Sequence, residues 1–389
     1  MKKKKRIGTI YLVVLFGILC SLWWEERICA NEEEDPEVYV EEFVQEEDFY
    51  ELQSTIDHAL GEEKIGFYEY VLAFVKGEKK LSVSQILSDG EEMVKRQVEK
   101  NKSIWGRCFV LALLSVFFSN LAVLFQNEMV GKTGAYIGFV WIVALLLVVF
   151  RDVFQGTGEV LENIVLFMKA LLPVFFMTIT VSGGYETATV GYETALLGVS
   201  VTEIIIGNVF FSIVKMYFFL AMLNYIGFSN KLKQMLDALE SLVKWGMKAL
   251  LGGVFGINVL QGMLAPAMDR MKENVIVKTG GAVPVVGDAF SGAAELALSV
   301  GSLLRNSVGV AGIIVLLLLA FAFVMKIVIY MIIFRVEAAV LQVMGGETIA
   351  ECFVHVSKAA GLLCWICLAS VLLFAVTIVV LSFSFGSGV

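Results

Sequence analysis

Between Asp288 and Asn306 polar side chains recur at alternating steps of four and three residues: Asp288, Glu295, Ser299, Ser302 and Asn306, with Gly292 in phase and Arg305 beside the last. Two helical turns take about seven residues, so these groups share one face of a helix. The opposite face carries Ala293, Ala297 and Gly301, small enough for another helix to approach closely. A helix polar on one side and small on the other serves as the lining of a water-filled path or as a subunit contact. The alternative is a helix lying flat at the membrane interface. Gly280, Gly281, Pro284 and Gly287 precede it and break any helix, which makes them a candidate hinge.

A second set of groups sits inside apolar runs. Lys169, Lys215, Lys326 and Glu203, together with Glu295 and Arg305, occupy positions where a charge costs about 2.5–3.5 kcal/mol at a helix centre unless it is paired or wet. Glu203 with Lys215 and Glu295 with Lys326 are the pairings the sequence offers. Lys326 lies farthest from a span end and is the strongest functional pointer of the set.

Catalytic chemistry finds no support. No Gly-x-x-x-x-Gly-Lys-Ser/Thr loop is present to cradle a phosphate. His58 and His355 are the only histidines, far apart, which excludes a His-Glu-x-x-His metal site. Cys364 and Cys367 form a Cys-x-x-Cys within an apolar run and are packing residues. The expectation is a non-enzyme with no cofactor, no metal and no energy source of its own. The net charge is -8, and residues 31–63 hold fourteen Asp or Glu and no Lys or Arg. Nucleic acid is therefore not an expected partner, since phosphate binding needs a basic surface.

The elements that must position these groups are membrane helices. Hydrophobic residues make up 58% of the 389 and charged ones 17%, far from a soluble domain. Residues 1–30 run from a basic start through Ile7–Trp24 to Ala30, the order of a signal peptide or signal anchor. Residues 31–103 form an acidic exported segment. Its first half is acidic enough for disorder. Its second half has a helical face of Ile65, Tyr68, Val71, Leu72 and Val75.

Residues 104–389 form a multi-span body, with expected spans at Cys108–Phe125, Gly134–Phe150, Ile164–Val181, Val209–Phe228, Val308–Phe334 and Ala359–Phe383. Ala249–Ala265 is a weaker span, and Ala195–Ile206 a half-span able to turn back at Gly207-Asn208. The fold class expected is all-α, a polytopic integral membrane protein of six to eight helices after the signal. Amphipathic helices fall near 231–248 and 288–306. The tandem Gly-Tyr-Glu-Thr-Ala at 184–188 and 191–195 has the composition of a duplicated loop, and Gln342–Lys358 that of a polar connector.

Three stretches carry a family resemblance: Lys278–Asp288 (KTGGAVPVVGD), Leu303–Gly312 (LLRNSVGVAG) and the following span with Lys326. They resemble the stage III sporulation protein AE family of endospore-forming bacteria, most specifically over roughly residues 245–385. The resemblance implies a membrane subunit of a multi-protein channel or secretion-like apparatus. That complex lies in the mother-cell membrane surrounding the forespore and supports late forespore gene expression. It implies partners among the other proteins of the stage III sporulation A operon, a companion ATPase included, and indirectly a forespore membrane protein across the intermembrane space. The lipid bilayer is the remaining partner. Established catalytic residues are not among what the resemblance supplies. Two rivals stand beside it. One is a stand-alone secondary transporter with substrate near Lys326 and the break at Gly280–Gly287. The other is a non-conducting scaffold that docks through Ala293–Gly301.

Overall fold

The computed structural model describes residues 49–60, 66–75, 128–181, 185–226, 232–280 and 287–384, with isolated helical positions between 99 and 117. For 261–280 and 287–299 the backbone path alone is described. The signal segment, most of Cys108–Phe125, and Gly281 and Pro284 of the hinge lie outside these residues.

Two short helices come first, α1 (Tyr50–Leu60) and α2 (Phe67–Val75), then a long α3 (Glu128–Val181). Next, α4 (Tyr185–Ile204) runs through a π-turn (Ile205–Phe210) into α5 (Phe211–Ile226). Three further long helices follow: α6 (Lys233–Gly280), α7 (Gly287–Val343) and α8 (Glu347–Ser384). Among the described residues all regular structure is helical. Four stretches are long and apolar enough to cross a membrane: Val140–Thr180, Gly191–Asn224, Val300–Val343 and Ile349–Ser382.

The helices pack as an antiparallel bundle with two cores along its length. At one end α7 turns into α8. Met344 to Gly346 close a Schellman motif there, with Gly346 N–H bonded to Leu341 C=O at 2.9 Å and Gly345 N–H to Gln342 C=O at 3.1 Å. Gly345 sits at φ 85°, a backbone that only glycine adopts without strain. At this hairpin end Leu146, Phe150, Phe218, Leu236, Val243, Phe334, Phe353 and Leu363 form one core. At the opposite end Phe167, Phe175, Val300, Leu304, Phe374 and Ile378 form another, capped by Leu52, Ile56, Phe67 and Val71 of α1 and α2.

Several expectations change. Gly134–Phe150 and Ile164–Val181 are not separate spans but parts of the 54-residue α3, because the polar residues between them keep helical spacing and face outward. The chain does not turn back at Gly207-Asn208; the π-turn carries it straight on into α5.

From Tyr185 onward the tandem repeat is helix rather than loop. Its seven-residue period equals about two turns, so Ala188 and Ala195 fall on one face, and both are buried. The connector shrinks to the turn after Val343, and His355 belongs to α8. Within the acidic segment α1 is ordered, since Phe49, Leu52 and Ile56 at steps of three and four bury one side against α3. The stretch 288–306 is the first part of the 57-residue α7, continuous with the span that follows.

Candidate functional site

The polar residues of α3 define the site. Asp152, Gln155, Glu159 and Glu162 lie within one arc of the helix and are all exposed, and Lys169 continues the arc half-buried. The antiparallel α4–α5 segment runs beside them with Glu203, Asn208, Ser212 and Lys215, all exposed. The two helices are tied at both ends of this surface. Lys169 Nζ donates to Glu203 Oε2 at 2.7 Å. Lys215 Nζ lies 4.6 Å from the centre of the Phe154 ring, a cation–π contact. Just beyond the Lys215 end Phe150 stacks on Phe218 with centroids 3.7 Å apart.

The π-turn matters to this surface. An α-helix advances roughly 100° per residue, so twelve ordinary steps would carry Lys215 about 120° round from Glu203. Each π residue advances less. The six residues Ile205–Phe210 therefore bring Lys215 back toward the Glu203 side. Ser212 Oγ bonds the Asn208 carbonyl at 2.6 Å within the same region.

Lys326 reaches the site from α7. Its Nζ is 3.0 Å from Asp152 Oδ2, with the lysine side chain 16% exposed and the aspartate 52%. The ammonium also lies 5.7 Å from the Phe323 ring centre. Both pairings read from the sequence are thus replaced: Glu203 pairs with Lys169 rather than Lys215, and Lys326 with Asp152 rather than Glu295. Separations of 34 and 174 residues hide such partners from local spacing.

Of the other sequence-derived positions, Gly301 is buried, Ser302 half-buried, Arg305 buried at 3% exposure and Asn306 exposed. These four therefore sit in the packed body of α7 and not on a detached interfacial helix. Asp288, Ala293, Glu295, Ala297 and Ser299 lie on the helical backbone of α7, and Gly280 and Gly287 bound the gap between α6 and α7. The structure does not bring Lys326 to that gap among the described residues.

Sequence reasoning missed several groups. Tyr217 Oη and His355 Nδ1 are 3.0 Å apart in the interior. Asn258 Nδ2 donates to Thr377 Oγ1 at 3.0 Å, joining α6 to α8. Glu337 is 5% exposed, and its Oε2 has no hydrogen-bond partner among the described residues. Arg335, Gln342, Glu347 and Glu351 ring a cavity of about 560 Å³ floored by Ala338, Ala339 and Ala350. On α6, Glu240 accepts from Lys244 and lies 3.6 Å from Lys358 of α8. Burial pushes its carboxyl up, but the two ammonium groups outweigh that and hold it below the ordinary value.

None of these sets places three metal-ligating side chains together among the described residues. Chemically, the arrangement offers fixed charges and hydrogen-bonding groups along one face of a membrane bundle.

A family model for stage III sporulation protein AE matches residues 65–384. The curated stage III sporulation protein AE of Bacillus subtilis (strain 168) is 24% identical over 290 residues, covering 74% of this chain and 73% of that protein. No solved structure matches.

Proposed function

Because the chain belongs to the stage III sporulation protein AE family, we propose that it is a membrane subunit of a multi-protein sporulation complex that links mother cell and forespore. In this reading it forms or scaffolds a channel or secretion-like conduit, has no enzymatic activity of its own, and depends on a companion ATPase. The observation that carries the assignment is the extent of the family match. It takes in α2 through α8, with all four apolar stretches.

In this reading residues 31–103 are exported, so the hairpin end, with Lys233, Lys244, Arg335 and Lys358, faces the mother-cell cytoplasm. The α1–α2 cap and the C-terminal end of α8 face the intermembrane space, as an exported residue 31–103 segment requires.

The test is affinity purification of the tagged full chain from sporulating cells, beside a strain lacking it. Co-purification of other stage III proteins and a block in sporulation without the chain are expected. Recovery of the chain alone, together with normal sporulation in its absence, would overturn the assignment. Solute uptake by liposomes holding only this chain would favour the secondary transporter.

A further inference from the structure

The depth of the α3 polar face is fixed by its neighbours. Asp152 meets Lys326, and a β-carbon at Gly156 would lie 2.3 Å from Phe323. Farther along, a β-carbon at Gly312 would lie 2.8 Å from Leu171, and one at Gly309 3.6 Å from Phe175. Residues 152–175 of α3 therefore run antiparallel beside 309–326 of α7, the most apolar stretch among the described residues. From Asp152 to Lys169 is about 25 Å at 1.5 Å per residue, close to the roughly 30 Å of hydrocarbon in a bilayer. The exposed groups thus sit at hydrocarbon depth.

Lipid cannot be their surroundings without a large cost. Glu159 and Glu162 are exposed mid-stripe, and no ion pair reaches either among the described residues. A charge there costs about 2.5–3.5 kcal/mol by insertion scales, and such residues almost always face a bundle interior or a water-filled cavity. The facing side on α4–α5 adds Asn208 and Ser212 among exposed Ile204 and Val209, and the π-turn helps keep Lys215 toward the Glu203 side. The two helices, tied at their ends by Lys169–Glu203 and Phe154–Lys215, border a groove whose α3 side is acidic in its middle.

We propose that the groove between α3 and α4–α5 is one wall of a water-filled, cation-preferring path across the membrane. The inference rests on the conduit reading of the complex and gives it a surface and a charge. Asp152 is neutralised by Lys326 and Glu203 by Lys169, which leaves Glu159 and Glu162 against the single ammonium of Lys215, a net negative field for a passing ion to meet. Carboxylates lining a narrow path favour cations.

The test uses single cysteines at Gln155, Asn208 and Ser212 of the full chain, in membranes from sporulating cells. The native cysteines are kept, Cys352, Cys364 and Cys367 being buried, and parental labelling is subtracted. Both a cationic and an anionic methanethiosulfonate should react at all three positions. The cationic reagent should be about tenfold faster, as a focusing acidic cleft allows. Glu159→Gln with Glu162→Gln should bring the ratio near one.

Failure of both reagents at all three sites, with a lipid-soluble maleimide still reacting, would overturn the path in favour of a lipid face. Protection from every reagent, with cross-linking to another protein, would overturn it in favour of a partner helix. Equal rates in the unsubstituted groove would overturn the cation preference. Sporulation of the strain lacking the chain is scored separately. An unlabelled groove with sporulation still dependent on the chain sinks this inference alone, whereas sporulation without the chain sinks the reading beneath it.

Discussion

The α7–α8 hairpin and the α3/α5 groove cross the same depth of the bundle and handle polarity in opposite ways. The hairpin turns several hydroxyl side chains inward and satisfies them on its own backbone. Ser357 bonds Met331 C=O at 3.0 Å, Ser370 bonds Ile366 C=O at 2.8 Å and Thr377 bonds Leu373 C=O at 3.0 Å. Its outward residues, such as Leu317, Ile332, Leu368 and Leu372, are apolar. The groove turns Gln155, Glu159, Glu162 and Asn208 outward instead. In a bilayer the first pattern describes a helix pair that holds the fold and meets lipid, and the second a surface that needs water or a polar neighbour.

The largest test separates fold from surface. Phe374 is 1% exposed at the centre of the capped core. Phe374→Ala should cost about 3–5 kcal/mol, the range for deleting a buried aromatic ring, and should lower the unfolding temperature in detergent and the amount of chain in membranes. Gln155→Leu changes an exposed residue and should leave unfolding within about 0.5 kcal/mol of wild type. If the two variants were equally destabilised, the hairpin and the groove would not differ in the way described.

The next effect is the tie between the two regions, Asp152–Lys326. Asp152→Asn leaves the mostly buried Lys326 ammonium uncompensated and should cost about 2–3 kcal/mol, whereas Lys326→Met leaves an aspartate that is half exposed and should cost less than about 1 kcal/mol. The double variant should recover much of that loss. A double-mutant cycle on thermal unfolding measures it, and strictly additive losses would mean that the ion pair seen at 3.0 Å contributes nothing.

What the sequence made legible follows the same division. The hairpin spans and the amphipathic start of α6 follow from apolar runs and periodicity, which are local properties. Lys169, Glu203 and Lys326 stood out because charge in an apolar run is rare at any fold. Their partners did not, because pairing across 34 or 174 residues is set by packing alone. Arg151 to Asn163 has the composition of a connector, and only the continuous helix turns it into a face. The GYETA repeat misled through its glycines, although a seven-residue period is as natural to a helix as to a duplicated loop.

A smaller effect comes from glycines with open surroundings. Added β-carbons at Gly198 and Gly252 would meet nothing within 4 Å. Ala at either position restricts the unfolded chain and should stabilise the isolated protein by about 0.4–1 kcal/mol. Gly156→Ala, whose β-carbon would collide with Phe323, should instead destabilise it. Thermal unfolding of the three variants side by side checks the sign, and destabilisation at Gly198 would show that the α4 face is more crowded than its geometry allows.

The smallest effect lies where α6 meets the hairpin. Lys244 and Lys358 hold the Glu240 carboxyl below its ordinary value of 4.5 despite burial. A lowered folded-state value means that the ionised group stabilises the fold above the unfolded value. That contribution fades as pH falls from about 4.5 through the lowered value. The group is only partly buried, so the contribution is about 0.2–1 kcal/mol. Glu240→Gln should flatten the acid limb of the unfolding temperature below pH 4.5 and change little at pH 7 beyond the loss of the pair. Phe374→Ala should lower the curve at every pH. If Glu240→Gln also shifted the whole curve evenly, the acid sensitivity would have to arise elsewhere than at this junction of α6 and α8.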